Sequence, residues 1–164
     1  MIARFIGTHT NKIDEKGRVS VPSPFRRVLA EGNPTREDGK PPSFFMVIDP
    51  NEGLIECVSV DRHESLAQRI DAIEDDDLQA AMEYRYFNCA HLITLDANGR
   101  IQVSPSMREI VGDAEALAFA GENQRFRIVA AKPGERPFED AYEEVKARLA
   151  DVKDIERMAR RILR

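Results

Sequence analysis

The sequence predicts an α+β protein built as a tandem duplication of one unit of short strands and short helices. Two observations predict this class. A ten-residue frame occurs twice, 82 residues apart, and each copy leads through alternating apolar residues into a short helix. The 164 residues are 42% hydrophobic and 32% charged, which supplies enough apolar material for a packed core.

Both copies of the frame predict the same tight turn. Residues 12–21 read KIDEKGRVSV and residues 94–103 read TLDANGRIQV. Asp is favoured at the first position of a type I turn, and Gly at the fourth can adopt a positive φ that closes the turn with a bulge. We therefore predict a hairpin in each copy. The residues expected to be structural in these hairpins are Asp14, Gly17, Asp96 and Gly99.

After each turn the residues alternate between polar and apolar, which is the pattern of a half-buried strand. A strand sends successive side chains to opposite faces. Val19 and Ile101 should therefore face the core, whereas Arg18 and Arg100 should point away from it. The two arginines are thus predicted to occupy equivalent exposed positions in the two repeats.

A short helix is expected after each of these strands. A Ser-Pro pair at 23–24, and again at 104–105, predicts the helix start, with serine as the N-cap and proline at the first helical position. Gly32 and Gly112 lie where the two helices should stop. The helices themselves are predicted over 25–29 and 107–111.

The remaining elements also correspond between the two halves. Each half continues with a second hairpin and a further helix, and one more helix joins the halves. The hairpins are predicted at 44–48 with 54–60 and at 117–120 with 126–131, and the helices over 61–73, 76–88 and 137–149. Residues 33–43 are predicted to form a mobile polar loop.

These elements divide the chain into four parts. We predict a first repeat over 1–73, a linking helix over 74–88, a second repeat over 89–149 and a helical tail over 150–164. The tail has apolar residues near helical spacing and five basic residues on the other side. Two interpretations stay open for it: a helix that binds a partner or lies beside DNA, or an ordinary amphipathic chain end.

The net charge of −5 conceals an uneven distribution. Residues 1–29 hold six basic and two acidic residues, a net charge of +4, whereas residues 30–88 carry a net charge of −9. A molecule polarised in this way can present one basic face to a polyanion despite its negative total. The composition therefore leaves nucleic acid open as a partner.

The sequence favours a cytoplasmic protein. Its longest apolar runs, 44–48 and 116–120, are five residues each, whereas a membrane helix needs roughly 20. Residues 1–5 show neither an apolar signal segment nor a cleavage site. The two cysteines, Cys57 and Cys89, are too few for a disulfide framework and suit a reducing compartment.

The paired Asp-x-x-x-Arg frame, each copy in a hairpin followed by a short helix, resembles the MraZ family of the AbrB-like swapped-hairpin group. Residues 7–22, which read GTHTNKIDEKGRVSVP, are especially similar to that family. The resemblance covers roughly residues 1–145 in element order and loop length. Two segments depart from it: residues 33–43 are longer and more polar than expected, and residues 150–164 lie beyond the family core.

The resemblance implies a tandem-duplicated swapped-hairpin β-barrel with short helices. It also implies a transcriptional regulator that binds direct DNA repeats upstream of the bacterial division and cell-wall gene cluster, with repression by promoter occupancy as the leading hypothesis. The expected partners are double-stranded promoter DNA and further copies of the chain in a ring. The protein would then be associated with the nucleoid.

Arg18 and Arg100 are the first candidates for DNA contact, because the arginine fork can bind guanine O6 and N7 bidentately. Phosphate contacts, which position a protein without reading sequence, are expected from the remaining basic candidates: Arg4, Lys12, Lys16 and Arg26. Asn98 either touches a base edge or serves its turn. The alternative for each motif is a hairpin turn in which the aspartate simply holds the arginine in a local ion pair.

Other functional classes find less support in the sequence. No enzyme is expected, because there is no glycine-rich phosphate loop, no Gly-x-Ser-x-Gly motif and no cluster of a nucleophile with its base, which also disfavours a small hydrolase. No metal or cofactor is expected either, because the histidines and cysteines lack a zinc-site spacing. The main alternative is an antitoxin-like protein-interaction module built on the same fold.

Overall fold

The computed structural model describes residues 3–132, 137–149 and 152–163. Eight strands, six α-helices and one π-helical turn lie within these residues. The strands are β1 (Thr8–Lys12), β2 (Arg18–Ser20), β3 (Ser43–Asp49), β4 (Leu54–Ser59), β5 (Ala90–Thr94), β6 (Arg100–Gln102), β7 (Ala116–Gly121) and β8 (Phe126–Ala131). The helices are α1 (Ser23–Glu31), α2 (Val60–Asp71), α3 (Asp76–Glu83), α4 (Pro105–Val111), α5 (Pro137–Arg148) and α6 (Val152–Ile162), and the π-helical turn is Tyr84–Asn88.

The two halves of the sequence interleave in the sheets. Six strands form one sheet in the order β1-β7-β8-β4-β3-β5, and β2 and β6 form a separate two-stranded ribbon. All pairings are antiparallel, and each strand of the first half pairs with a strand of the second: β1 with β7, β2 with β6, β3 with β5 and β4 with β8. The predicted α+β class with short helices is confirmed.

The expected closed barrel is wrong for the part of the chain that the structure describes. β1 and β5 are the outer strands of the six-stranded sheet, and they do not pair with one another. The strands that could have joined these edges, β2 and β6, have three residues each and pair only as the separate ribbon. The Arg18 and Arg100 carbonyls of the ribbon instead accept hydrogen bonds from Asp14 N and Asp96 N within their own turns.

Two of the predicted hairpins form as expected, and the other two form only as turns. β3 pairs with β4, and β7 pairs with β8, as predicted for 44–48 with 54–60 and for 117–120 with 126–131. The strands around each Asp-x-x-Gly-Arg turn instead diverge. Before the first turn β1 runs along β7, and after it β2 runs along β6. Before the second turn β5 runs along β3, and after it β6 pairs with β2.

The helices lie at the predicted positions, but the predicted N-cap of α1 is wrong and the predicted helix over 76–88 divides in two. Ser104 caps α4, its side chain accepting from Met107 N, with proline at the helix start as predicted. The N-cap of α1 is Pro22 rather than Ser23, and no side-chain hydrogen bond caps that helix. Phe25 N and Arg26 N both donate to the Pro22 carbonyl, so the turn begins one residue earlier than the Ser-Pro signal indicates.

The predicted helix over 76–88 divides into α3 and the π-helical turn. Asp75 caps α3 through a hydrogen bond from Leu78 N, and two further aspartates lie in its first turn. Carboxylates at that end interact favourably with the helix dipole. The position of these three consecutive aspartates at the start of α3 therefore explains their presence.

Phenylalanine side chains form the centre of the core. The Phe126 ring lies 5.0 Å from Phe5, 5.1 Å from Phe25, and 6.2 Å from both Phe44 and Phe119. All five rings are buried. Val19 and Ile101 join the same cluster from the ribbon, so the ribbon packs on the core by its inner face.

The chain divides into two compact units, Met1–Lys132 and Pro133–Arg164. The second unit contains α5 and α6, as predicted for 137–149 and for the tail. The predicted start of the tail, at residues 150 and 151, lies outside the described residues. The division into two repeats, a linking helix and a tail stays a prediction. None of the described helices is long and apolar enough to cross a membrane.

Candidate nucleic-acid interface

Asp14 organises the first turn with both of its carboxylate oxygens. Its Oδ1 accepts hydrogen bonds from Lys16 N at 2.9 Å and Arg18 N at 2.8 Å, and its Oδ2 accepts one from Arg18 Nε at 3.0 Å. The backbone closes the same turn, because Gly17 N donates to the Asp14 carbonyl at 3.0 Å. One side chain therefore fixes both the loop and the arginine that follows it.

Asp96 makes the same set of contacts in the second turn. Its Oδ1 accepts from Asn98 N at 2.8 Å and Arg100 N at 2.9 Å, and its Oδ2 accepts from Arg100 Nε at 3.0 Å. Gly99 N donates to the Asp96 carbonyl at 3.0 Å. The sequence repeat is thus a repeat of hydrogen bonds, atom for atom.

Glycine is required at the fourth position of both turns. Gly17 has φ of +76° and Gly99 has φ of +75°, in the left-handed region that other residues rarely adopt. Together with the hydrogen bond from glycine to aspartate, this is the type I turn with a closing bulge that the sequence predicts. The aspartates and glycines thus shape the two turns.

The ribbon places the two arginines on one face. Arg18 lies opposite Gln102, and Ser20 lies opposite Arg100, with the buried pair Val19 and Ile101 between them. Residues directly opposite in a ladder share a face, and diagonal neighbours on it are roughly 7–8 Å apart. Arg18 and Arg100 are such a diagonal pair, and both stay partly exposed, at 30% and 25% of the side chain.

Each turn accepts a hydrogen bond from a side chain of the other repeat, but the two side chains differ chemically. Gln102 Nε2 donates to the Lys16 carbonyl at 2.9 Å and to the Gly17 carbonyl at 3.2 Å. Arg26 Nη1 donates to the Asn98 carbonyl at 3.3 Å. A neutral amide therefore supports the first turn, and a guanidinium supports the second.

The other predicted site residues are divided between the turns and a distant position. Lys12, Lys16 and Asn98 are exposed, in or next to the turns. Arg4 is also exposed, but it donates to Asn123 Oδ1, beside the far end of β1 where Phe5 bridges Asn123. The structure therefore groups the predicted residues around the two turns, except for Arg4.

The local hydrogen bonds keep both aspartates ionised. The backbone N–H of Arg18, followed by its side chain, lowers the pKa of Asp14, although desolvation partly opposes the shift. Arg100 lowers the pKa of Asp96 in the same way. Each Asp–Arg pair consequently carries no net charge near neutral pH. Long-range attraction to a polyanion must come from the cations around the pairs.

Sequence reasoning missed Gln102 as part of this site. It occupies a variable position of the frame, and its counterpart in the first repeat is Ser20. The repeat alignment points to shared residues, whereas this contact exists because the repeats differ. The strand alternation that exposes Arg100 also places Gln102 on the same face, and this pattern could have indicated Gln102 as a site residue.

Several known proteins that are similar in sequence to this chain share one description. "Transcriptional regulator MraZ" of Ruegeria pomeroyi is 30% identical over 130 residues, which is 78% of this chain and 78% of the relative. The protein of the same description from Cereibacter sphaeroides is 32% identical over 137 residues, covering 78% and 80%. That of Ruegeria sp. (strain TM1040) is 30% identical over 145 residues, covering 87% and 82%. No family model matches the chain.

Proposed function

The chain belongs to the MraZ family, and on this premise we propose that it is a sequence-specific DNA-binding transcriptional regulator that acts as a repressor. The observation that supports the proposal most is the common face of Arg18 and Arg100 on the ribbon of β2 and β6. Two copies of one candidate reading residue can thus approach the same stretch of DNA together.

The dimensions of DNA suit such a ribbon. The major groove of B-DNA is about 12 Å wide and admits a two-stranded β-ribbon. The ribbon would present Arg18 and Arg100 to base edges, where a guanidinium binds guanine O6 and N7 with two parallel hydrogen bonds. Each contact to aspartate through Nε uses one of the five N–H donors of the guanidinium. The aspartates would act as positioning residues that fix the orientation of the two guanidinium groups.

The surrounding cations would bind the DNA backbone. We propose Lys12 and Lys16 as phosphate contacts beside the first turn. Asn98, at the position of Lys16 in the second turn, would touch a base edge or serve the turn alone. Arg26 would combine a phosphate contact with its bond to the second turn. Arg4 stays a prediction, since it lies at the other end of β1.

The family resemblance extends the proposal to assembly and target. The exchange of strand partners between the halves supports a swapped-hairpin arrangement within one chain. We further propose a homo-oligomeric ring that binds direct repeats in the promoter of the division and cell-wall gene cluster and is thereby associated with the nucleoid. In a ring, contacts of several subunits with one DNA molecule add through a high effective concentration.

Fluorescence anisotropy tests the proposal. A labelled duplex from the region upstream of the chain's own gene is titrated at two salt concentrations, beside a scrambled duplex of equal length. The wild-type protein should prefer the first duplex, and salt should weaken its binding. Arg18→Ala with Arg100→Ala should abolish the preference, because each guanine that an arginine reads contributes about 1–3 kcal/mol of discrimination.

A matched control removes the same charge elsewhere. Arg62→Ala with Arg69→Ala changes two arginines of α2 and should leave the preference intact. Unchanged affinity in the Arg18/Arg100 variant would refute the role of the motif. Equal, weak binding of both duplexes by the wild-type protein would reduce the interface to nonspecific electrostatics.

A further inference from the structure

The two turns have different neighbours. Beside the second turn, Leu95 N donates to the Pro42 carbonyl at 3.1 Å, and at the corresponding position beside the first turn, Ile13 N donates to the Glu115 carbonyl at 2.8 Å. The connection that reaches the second turn spans residues 32–42, between α1 and β3. Its counterpart spans only residues 112–115, between α4 and β7. We call residues 33–42 the insertion loop.

These neighbours present different charges to the two turns. The insertion loop places Arg36 and Lys40 in a groove beside the second turn. The short connection beside the first turn contains Asp113 and Glu115 instead. Two turns with equal hydrogen bonds therefore stand in unequal electrostatic surroundings.

The equivalent arginines of α1 and α4 add to the electrostatic difference between the two turns. Arg26 of α1 lines the groove and donates to the second turn. Its counterpart Arg108 of α4 donates its Nη1 to the carbonyls of Gly112 and Ala114, at 3.0 and 2.9 Å. The charge of Arg108 is thus turned towards the end of its own helix, whereas that of Arg26 is directed to the groove.

The groove has a volume of about 520 Å³ and is open to solvent. Its charged lining consists of four cations and one carboxylate: Arg26, Arg27, Arg36, Lys40 and Asp96. The carboxylate is already bonded to Arg100 and to two backbone N–H groups. The acidic residues of the loop itself, Glu37 and Asp38, are not part of this lining. The groove consequently has a surplus of positive charge.

Hydrogen bonds fix the insertion loop in this position. Asn33 is buried, and its Oδ1 accepts from Ser43 N at 2.9 Å, which ties the loop at its base. Arg36 Nη1 donates to the Lys40 carbonyl at 2.7 Å across the loop. The hydrogen bond from Leu95 N to the Pro42 carbonyl connects the end of the loop to the strand residues that lead into the second turn.

We propose that this groove binds phosphates of the DNA backbone next to the second turn, so that the second motif binds DNA with more backbone contacts than the first. The inference rests on the proposed function, because Arg100 must bring the duplex to this face. The phosphates of a strand engaged by Arg100 would lie next to the groove, which borders the turn that carries that arginine. Guanidinium and ammonium groups are the side chains that bind phosphate most strongly.

The test variant is Arg27→Gln with Lys40→Gln. Both side chains are exposed, and the loop bond from Arg36 is accepted by the backbone carbonyl of Lys40 rather than by its side chain. The matched control is Arg69→Gln with Lys132→Gln, which also removes one arginine and one lysine, both exposed and outside the groove. Gel filtration should give all variants the oligomeric state of the wild type.

The first readout is the salt dependence of binding to the upstream duplex. Removal of one phosphate contact should lower the slope of log K against log salt by about 0.9. For each subunit bound to the duplex, the groove variant should therefore take about 1 to 2 from the magnitude of this slope. It should bind severalfold more weakly at low salt, with its preference over the scrambled duplex preserved. A slope equal to that of the control variant would overturn the proposal.

The second readout locates the contacts. Ethylation of single phosphates should interfere with wild-type binding at positions where the groove variant is no longer affected. Those positions should lie on one side of each DNA repeat, since the groove borders the second turn. An interference pattern shared by the wild type and the groove variant would contradict the proposal.

The proposed function and the groove can fail separately. If the wild type prefers its duplex, the Arg18/Arg100 variant loses that preference and the groove variant behaves as the control, only the groove is refuted. If the wild type binds both duplexes alike, or if the Arg18/Arg100 variant keeps the preference, the proposed function fails. The groove inference then fails with it, because no duplex is brought to this face by Arg100.

Discussion

Asp14 of the first repeat lies within ion-pair distance of Arg100 of the second, with 3.7 Å between Oδ2 and Nη1. The same oxygen accepts the hydrogen bond from Arg18 Nε at 3.0 Å. Asp96, at the equivalent position, bonds Arg100 Nε at 3.0 Å. Charges of alternating sign thus run from Arg18 through Asp14 and Arg100 to Asp96, and they connect the two motifs across the ribbon.

Asp14 should matter more for DNA binding than Asp96, because it contacts the arginines of both repeats. Asp14→Asn removes the charge that holds Arg18 and faces Arg100, while Asp96→Asn affects Arg100 alone. Titration of each variant with the upstream duplex should therefore give the weaker affinity for Asp14→Asn. Equal losses would show that the contact between the repeats has no role in positioning.

Acidification should weaken both turns. The pKa values of Asp14 and Asp96 are lowered below the ordinary 3.8 by bonds from Arg18 and Arg100, so the folded state favours the ionised form. The resulting stabilisation is present above pH 3.8 and is lost as the pH falls through the lowered values. Urea unfolding of the wild type and of Asp14→Asn with Asp96→Asn should differ at about pH 6 and converge at strongly acidic pH. A difference that persists there would exclude these carboxylates as its source.

Alanine at Gly99 should destabilise the protein more than alanine at Gly17. Both positions have a positive φ, which costs an L-residue about 1–2 kcal/mol. A Cβ at Gly99 would also clash with Arg26 Nη1 and lie 2.5 Å from Arg26 Cδ, whereas at Gly17 it would meet the flexible end of Gln102 at 2.7 Å.

A double-mutant cycle separates the two costs at Gly99. Arg26→Ala should reduce the destabilisation by Gly99→Ala to the part caused by φ, and urea unfolding measures the four free energies. Strictly additive effects of the two substitutions would show that Arg26 is not packed on Gly99.

The centre of the core should tolerate truncation least at Phe126, whose ring lies at the middle of the phenylalanine cluster. Phe126→Ala should lower the free energy of unfolding by about 3–5 kcal/mol. The comparison is Phe87→Ala, because the Phe87 side chain is 42% exposed and leaves a smaller cavity. A similar cost for both substitutions in chemical denaturation would contradict the central place of Phe126.

Most local elements could be predicted because their causes are local in the sequence. The turn at 14–17 follows from an aspartate and a glycine three positions apart, and the exposure of Arg18 follows from strand alternation. Strand partners have no such local cause. That β1 pairs with β7 while β2 pairs with β6 depends on the packing of both halves, and the expected barrel was wrong for this reason.

The candidate site, too, could be predicted only where its features are local in the sequence. The repeat pointed to the residues that the two motifs share, including Arg18 and Arg100. It could not reveal Gln102 against Gly17 or Arg26 against Gly99, since these contacts join different positions of the two repeats. The basic residues of the insertion loop were visible in the sequence, but the place of the loop beside the second turn depends on the hydrogen bond from Leu95 N to the Pro42 carbonyl.

The two Ser-Pro helix starts look alike in the sequence, yet they should respond differently to substitution. Ser104 caps α4, because its side chain accepts a hydrogen bond from Met107 N at 3.2 Å. Ser23 is exposed and lies inside α1, which begins after Pro22 without a side-chain cap. Ser104→Ala should therefore cost about 0.5–2 kcal/mol of stability, whereas Ser23→Ala should cost little, because alanine is a good helix former.

Thermal and urea unfolding of the two single variants measure this difference under identical conditions. Because each substitution removes one hydroxyl next to a proline, the pair controls for the loss of the hydroxyl and for the local sequence. Equal destabilisation would show that Ser23 caps α1 in solution, as the repeat alone predicts. A loss confined to Ser104→Ala would show that the two helices start differently although their sequence signal is the same.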